Sequence, residues 1–200
     1  MRKTRKDADT KAFSKISIVL VEPQSPGNIG SVARVMKNTG FENLALVNPC
    51  DYKNNDGYSM ACKADDLLLG ADVYPTLDVC INAFKILIGM TRRKGKLRYP
   101  VLTLAEAAPK IIELASTNKT ALIFGREDRG LENEEIAVCD MLVEIPASAR
   151  YQSFNLSHAV LLVCHCLFMA ENPAEAAIKA VAREDAEKMY VHLESALRAL

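Results

Sequence analysis

The sequence predicts an α/β fold in which a mostly parallel sheet is covered by helices on both faces. Short apolar runs rich in β-branched residues recur along the chain, and segments with helical spacing separate them. This alternation is typical of parallel sheets buried between two helical layers. Half of the 200 residues are hydrophobic, enough for one core, so we expect a single domain.

The strands are expected where the apolar runs lie. The first is Ile16–Val21, which follows a polar segment. Four later runs have the same character, at residues 44–47, 86–88, 121–124 and 141–145.

Three helices can be bounded from their ends. Residues 29–39 close on Gly40, and residues 104–115 follow Thr103 as the cap. Residues 155–170 are apolar on nearly every face. A helix that is apolar all round is normally buried, so we expect this third helix inside the protein.

The two ends of the chain differ from this alternating region. Residues 1–13 are charged and lack periodicity, which predicts a flexible basic arm, and residues 14–172 form the predicted domain. Residues 173–200 are rich in alanine and charge, which predicts a helical extension that could cover a partner subunit. Its apolar stripe consists of Val181, Met189, Leu193 and Leu197.

Charge and cysteine content restrict the function classes. The 25 basic and 25 acidic residues cancel, so affinity for nucleic acid must come from local clusters. The six cysteines form no C-x-x-C pair and are too sparse for a secreted disulfide scaffold, which favours reduced thiols in the cytoplasm. No apolar run approaches the roughly 20 residues of a bilayer span, so no membrane contact is expected.

One short segment carries a strong local excess of positive charge. Its five bases, with no acid between them, are Arg92, Arg93, Lys94, Lys96 and Arg98. Such a segment is typical of loops that bind RNA phosphates. The alternative is an exposed, solvated loop.

The first candidate site follows the strand that ends at Glu22. Ligands of open α/β sheets bind at the carboxyl ends of strands, and a Pro/Gly turn leads from this end into a helix. We expect Asn28 to cap that helix and Arg34 to lie away from its buried stripe. Gly30, one turn before Arg34, would leave room for a substrate backbone. The alternative is that Asn28 is a plain cap, that Gly30 packs closely against the sheet and that Arg34 is a solvated helix residue.

Two further candidate sites also follow strands. Gly125 follows the run 121–124 and allows close approach of a ligand. Glu127 could hold the loop that contains it through backbone amides or through Arg34. Ser153 and Asn155 precede the apolar helix, where they either cap it or bind the polar ends of a small ligand. The alternative for the Gly125 segment is a solvated turn. No metal site is expected, because the helix histidines lack carboxylate or thiol partners at matching spacing.

Taken in order, these segments resemble the three motifs of the SpoU family, also called TrmH-like, of RNA 2′-O-ribose methyltransferases. The family's N-x-G-x-x-x-R matches residues 28–34, its F-G-x-E-x-x-G-L matches residues 124–131, and its S-L-N-L matches residues 153–156. The sequence of residues 27–41 is similar to that of the TrmJ-type tRNA branch. Two residues depart from the family pattern: Phe154 replaces leucine, and Glu132 replaces a serine or threonine cap, a role that Asn133 could take over.

The resemblance implies a SPOUT α/β-knot fold with a C-terminal deep trefoil knot, a homodimer and S-adenosylmethionine as cofactor. It implies that Arg34 of one subunit reaches the methyl donor held by the other. The catalytic residues implied by position are Arg34, Asn28, Ser153, Asn155 and Glu127. The cofactor contacts implied by position are Met90, Thr91, Arg92, Gly125, Ile145, Gln152, Ser153 and Phe154.

The activity implied is methylation of a ribose 2′-hydroxyl, with tRNA and its anticodon loop favoured by the TrmJ-type wording. The alternatives are an rRNA methyltransferase of the same family and a non-catalytic RNA-binding protein of the same fold. Because an arginine is a poor proton acceptor, we interpret Arg34 as a clamp on a neighbouring phosphate and on the developing oxyanion. Asn28 and Ser153 would then orient the hydroxyl.

Overall fold

The computed structural model describes residues 12–92, 101–150, 152–172 and 182–198. Within them the strands are β1 (Ile16–Val21), β2 (Asn43–Val47), β3 (Asp72–Tyr74), β4 (Ile86–Met90), β5 (Val101–Thr103), β6 (Thr120–Phe124) and β7 (Met141–Glu144). They form one sheet in the order β3-β2-β1-β6-β4-β7-β5, and every neighbouring pair is parallel. The predicted parallel α/β sheet is confirmed.

The helices of the described residues are α1 (Pro26–Thr39), α2 (Asn55–Ala61), α3 (Asp65–Leu69), α4 (Leu77–Ile81), α5 (Leu104–Thr117), α6 (Asn133–Ala137), α7 (Leu156–Glu171) and α8 (Arg183–Arg198). The three helices expected from the sequence are α1, α5 and α7. The sequence did not predict β3, β5, α2, α3 or α4, because each is too short for a hydrophobic period to be read.

Successive residues of the central strands point to opposite faces of the sheet and build two cores. Ile18 and Leu20 of β1 pack on one side in the core that contains residues of α1, α5 and α7. Val19 and Val21 of the same strand pack on the other side with residues of α4 and α6. Helices therefore cover both faces, as predicted, since side chains of a strand alternate in direction.

Strand β7 lies between β4 and β5, although it follows both of them in sequence. The C-terminal part of the domain is therefore inserted into a gap that earlier strands border. A knotted C-terminus requires this arrangement. The knot itself stays a prediction, because residues 93–100, which join β4 to β5, lie outside the described residues.

The core begins slightly before the predicted domain boundary at residue 14. Ala12 and Phe13 are buried, and the Phe13 ring stacks on Phe41 at 4.3 Å between centroids. The rest of the predicted arm, residues 1–11, lies outside the described residues. The predicted C-terminal extension contains α8, on which Met189, Leu193 and Leu197 are exposed.

Helix α7 is buried on one side only, so the expectation of a fully buried helix is wrong. Val160, Val163 and Leu167 pack into the core against α1 and α5. Leu161 and Met169 are 42% and 47% exposed, because they face away from these helices. In the described part of the chain no helix is both long enough and apolar enough to cross a bilayer.

Gly30 lies where α1 crosses α2, with its Cα against the carbonyl group of Gly57. A Cβ atom at residue 30 would collide with that carbonyl oxygen. The expectation that Gly30 leaves room for a substrate is therefore wrong, because the backbone of α2 fills this space. The alternative of close packing is correct, although the partner is a helix and not the sheet.

We expect Gly30→Ala to destabilise the protein by about 2–3 kcal/mol, because the added methyl group meets backbone atoms that cannot move aside. Gly27→Ala is the matched control in the same helix. A Cβ atom at residue 27 would find its nearest neighbour, Cγ of Met60, at 3.6 Å, an ordinary contact. Urea unfolding of both variants measures the difference. Equal free energies of unfolding would contradict the close helix crossing.

Candidate active site

A pocket opens at the carboxyl ends of β4, β6 and β7, in the loops that follow these strands. Its wall includes the backbone and side chains of residues from all three loops. Apolar residues such as Leu131 and Val143 form part of the wall, and the charged Asp128 and Arg129 lie beside them. Such a lining suits a small ligand with an apolar body and polar ends.

All eight residues expected to contact a cofactor line this pocket. They are Met90, Thr91, Arg92, Gly125, Ile145, Gln152, Ser153 and Phe154. They come from three separate stretches of sequence, so the fold has brought the expected set to one place.

The loop after β6 folds tightly on itself and needs a glycine at each end. A Cβ atom on Gly125 would collide with the backbone of Gly130 and Leu131. The Gly130 N–H donates to the Arg126 carbonyl oxygen at 2.9 Å, and Gly130 has φ +71°. This left-handed conformation favours glycine. The loop therefore forms a fixed wall of the pocket.

The Glu127 carboxylate joins this loop to the start of α1. It accepts hydrogen bonds from the Gln24 N–H at 2.9 Å and from the Ser25 N–H at 3.2 Å. It also accepts one from Nδ2 of Asn28 at 2.9 Å. Glu127 binds backbone amides, as one interpretation of the sequence expected, but the amides belong to the loop that precedes the first motif and not to its own loop.

Asn155 extends this chain of hydrogen bonds to α7. Its Nδ2 donates to Oδ1 of Asn28 at 2.9 Å, and its Oδ1 accepts from the Ser157 N–H at 2.9 Å, which caps the helix. Asn155 is thus both a cap and a bridge. Side chains from all three motifs are connected through Asn28.

Arg126 forms a buried ion-pair network beside the pocket. Its Nε donates to Oε2 of Glu22 at 2.7 Å, and its Nη1 donates to both carboxylate oxygens of Glu135 at 3.0 Å. The side chain is 5% exposed. Hydrogen bonding to Glu22 is the main cause that raises the pKa of Arg126. The sequence did not identify this residue, because nothing distinguishes it from Arg129 in the same loop.

The stability of the protein at acid pH depends on Glu22, because the Glu22 carboxylate belongs to this network. The hydrogen bond from Arg126 lowers the pKa of Glu22 below its ordinary value of 4.5. A carboxyl group whose pKa is lower in the folded state stabilises the protein above its unfolded-state pKa, and this contribution is lost as pH falls through the folded-state pKa.

We therefore expect Glu22→Gln to flatten the fall of melting temperature below about pH 4.5, because the substituted amide does not titrate there. Thermal melts of both proteins at matched ionic strength, from neutral pH down to pH 3, measure this difference. Glu42→Gln is the control carboxylate, since Glu42 is exposed in the turn between α1 and β2, outside this network. Parallel curves for Glu22→Gln and the unsubstituted protein would contradict the prediction.

Comparison with known proteins agrees with this geometry. Residues 15–165 match the family model of the SpoU rRNA Methylase family. The chain belongs to this family. It is 42% identical over 156 residues to the tRNA (cytidine-2′-O-)-methyltransferase TrmJ of Methanocaldococcus jannaschii, covering 76% of this chain and 67% of that protein.

Two further relatives cover more of the chain. The tRNA (cytidine/uridine-2′-O-)-methyltransferase TrmJ of Escherichia coli strain K12 is 36% identical over 195 residues, which are 94% of this chain and 79% of that protein. The crystal structure of TrmJ from Z. mobilis ZM4 superposes with a TM-score of 0.73 at 33% identity, over 92% of this chain and 79% of that one. The similarity thus extends through the described domain.

The first SpoU motif departs from its sequence-based interpretation at the start of α1. Ser25, not Asn28, is the N-cap, and its side chain accepts from the Asn28 N–H. The expectation of an Asn28 cap is wrong because Pro26, which needs no N–H partner, starts the helix earlier. The Asn28 side chain is consequently available to join Glu127 and Asn155.

The second SpoU motif is followed by a helix start that also differs from expectation. Glu132 occupies the N-cap position of α6, where its N–H donates to the Glu135 carboxylate at 2.7 Å. Asn133 is therefore the first residue of the helix and does not take over the cap. The carboxylate of Glu135 serves both this N–H and Arg126.

Arg34 of the SpoU motif is not brought to the pocket of its own chain. It is exposed on α1 and is absent from the pocket lining. Within the described residues it makes no hydrogen bond or ion pair, with Glu127 or with any other side chain. One chain therefore assembles Asn28, Glu127, Ser153 and Asn155, but not the arginine.

The predicted RNA-binding segment is described only at its start. Arg92 is exposed and lines the pocket, whereas Arg93, Lys94, Lys96 and Arg98 lie outside the described residues. Within the described residues, no three His, Cys, Asp or Glu side chains are grouped so that they could hold a metal ion.

Proposed function

We propose that this protein transfers a methyl group from S-adenosylmethionine to a ribose 2′-hydroxyl of tRNA. One observation carries the proposal: the pocket lined by the expected cofactor contacts lies beside the hydrogen-bonded set of Glu127, Asn28 and Asn155. Relatives that are 42% and 36% identical over the aligned 156 and 195 residues are named tRNA 2′-O-methyltransferases, which supports the substrate class.

The residues present fit this cofactor. Gly125 has no side chain to obstruct the pocket, and a Cβ atom there would displace the loop that forms the wall. Ile145 and Phe154 offer apolar surface to an adenine ring, while Arg92 and Asp128 can meet the carboxylate and the ammonium of the methionine end. When bound there, S-adenosylmethionine supplies an activated methyl group.

The protein side chains act on the ribose that accepts the methyl group. Asn28 is held by Glu127 and Asn155, so its amide has a fixed orientation toward the hydroxyl. Ser153, exposed at the pocket, is the second polar group for this hydroxyl. Arg34 stabilises the developing oxyanion and a neighbouring phosphate, because its guanidinium donates several hydrogen bonds and accepts none.

The position of Arg34 supports a homodimer. Arg34 lies outside the pocket of its own chain, and in the proposed mechanism a second copy supplies it. The exposed apolar side of α7, with Leu161, Leu162 and Met169, is a surface that a second copy would bury. The site is incomplete without the partner, which is why the dimer belongs to the proposed mechanism.

Mapping of ribose methylation tests the function. The purified protein and S-adenosylmethionine are incubated with tRNA, and separately with rRNA, from cells lacking the gene. We expect new 2′-O-methylation in the anticodon loop of tRNA. Methylation of rRNA alone would overturn the tRNA assignment. Calorimetric binding of S-adenosylmethionine without any turnover would instead show a non-catalytic RNA-binding protein. The proposal places the enzyme in the cytoplasm with its tRNA substrate.

A further inference from the structure

A second pocket also lies at the carboxyl ends of the strands, beside β2 and β3. The loop that follows β2 and the end of β3 with the residue after it line this pocket: Asn48, Pro49, Cys50, Asp51, Tyr52, Lys53, Val73, Tyr74 and Pro75. None of these residues belongs to the three motifs or to the first pocket. The proposed reaction gives the second pocket no role.

The second pocket adjoins the candidate active site through residues 22–25. The Cys50 N–H donates to the Pro23 carbonyl oxygen at 3.1 Å, and the next two residues, Gln24 and Ser25, donate to Glu127. The Glu22 N–H donates to the carbonyl oxygen of Val47, the residue before Asn48, at 2.8 Å, and the Glu22 carboxylate holds Arg126 in the first pocket. A single short loop therefore separates the two pockets.

The lining of the second pocket has the chemistry that recognises an unpaired nucleotide. Val73 is 54% exposed, Tyr74 beside it is half-buried, and Pro75 is exposed. The Tyr74 ring offers aromatic surface on which a base can stack. The Lys53 ammonium lies 5.5 Å from the centroid of the Tyr52 ring. There it can bind the phosphate of the same nucleotide.

Tyr52 anchors the loop after β2 beneath this wall. Its ring is buried in the core that contains residues of α1, and among the described residues its hydroxyl has no hydrogen-bond partner. The Asn48 N–H, by contrast, is already bonded to the Tyr74 carbonyl oxygen at 2.9 Å, which fixes the two loops relative to each other.

The direction of the RNA chain connects this pocket with the reaction. A ribose placed at Asn28 is part of a polymer, so its neighbours must continue along the edge of the sheet. The proposed cofactor pocket occupies the space at the carboxyl ends of β4, β6 and β7. The β2 and β3 side, where the second pocket opens, is the side left for a flanking nucleotide.

We propose that the second pocket binds an unpaired nucleotide of the RNA substrate that flanks the methylated one, with its base on Tyr74 and its phosphate at Lys53. This inference rests on the proposed function. It assigns part of the recognition of RNA to a site on the opposite side of β1 from the cofactor pocket.

Steady-state kinetics with tRNA from cells lacking the gene test the assignment. For Tyr74→Ala and for Lys53→Ala we expect the KM for tRNA to rise about tenfold, because stacking and phosphate contacts are lost. The kcat at saturating tRNA and the Kd for S-adenosylmethionine should stay within about twofold. Tyr74→Phe, which keeps the ring, should restore the KM.

Lys119→Ala is the charge-matched control, since Lys119 is exposed just before β6, at the opposite end of the strands from both pockets. Its KM should equal that of the unsubstituted protein. Thermal melts of all variants identify any that do not fold. An unchanged KM for folded Tyr74→Ala and Lys53→Ala would overturn the proposal, as would an equal rise for Lys119→Ala.

Photocrosslinking gives a readout that does not depend on turnover. Anticodon stem-loop RNA carrying 4-thiouridine at single loop positions is irradiated with the protein, and the attached peptide is identified by mass spectrometry. We expect attachment to the peptides containing Lys53 or Tyr74. Attachment confined to other peptides would overturn the second pocket, even if methylation proceeds. Attachment at Tyr74 without any methylation would support it while the proposed reaction fails.

Discussion

Replacement of Arg34 by alanine is expected to lower kcat by about 100- to 1000-fold, the loss typical when one donor to a developing oxyanion is removed. The fold should be unaffected, because Arg34 is exposed and makes no hydrogen bond or ion pair within the described residues. The Kd values for S-adenosylmethionine and tRNA should change by only a few-fold. Single-turnover methylation, calorimetry and filter binding measure the three quantities.

Two substitutions serve as controls for Arg34. Arg34→Lys keeps the charge but not the planar pair of donors, so it should recover only part of the rate. Lys110→Ala removes an exposed cation from α5 and should leave all three quantities unchanged. If tRNA affinity fell as much as the rate in Arg34→Ala, the catalytic role would be wrong and Arg34 would be a binding residue.

A mixing experiment locates the chain from which Arg34 acts. Arg34→Ala is coexpressed with Ile145→Arg, which places a long charged side chain in the cofactor pocket. Each variant alone should be inactive. If the partner supplies Arg34, mixed dimers contain one complete site, and random pairing should restore about one quarter of the activity. No recovery in mixed dimers would show that each chain uses its own arginine.

Replacement of Arg126 by methionine is expected to destabilise the protein by about 3 kcal/mol, because it leaves two carboxylates without their buried partner. Arg126 is 5% exposed and joins Glu22, at the end of β1, to Glu135 in α6. For a chain of this length the melting temperature should fall by roughly 10 °C. Affinity for S-adenosylmethionine should fall as well, since the displaced loop forms a wall of the pocket.

Arg129→Ala is the matched control, since it removes the same charge from the same loop. Arg129 is 54% exposed, and its ion pairs with Glu22 and Glu132 span 3.9 Å and 3.3 Å. Exposed pairs of this kind contribute at most about 1 kcal/mol. Equal shifts of melting temperature for the two arginine variants would show that burial of the Arg126 network has no special effect on stability.

The sequence by itself determined the type of fold and the main elements of the site. Strand β1 could be predicted because its apolar, β-branched residues reflect burial on both faces of the sheet, and α5 because Thr103 and Glu106 form a local capping box. The residues that the motif resemblance implies as cofactor contacts line one pocket, and their role stays a prediction. The strand, the cap and each motif depend on residues close together in sequence.

Only the tertiary structure decided how these parts meet. Asn28 binds Glu127 and Asn155, which are 99 and 127 positions away along the chain. Arg126 reaches back to Glu22, and the space beside Gly30 is filled by α2. A local sequence pattern indicates whether a residue is buried, but not which distant residues pack against it. The pairing follows from strand order and helix crossing, which form only when the whole domain packs.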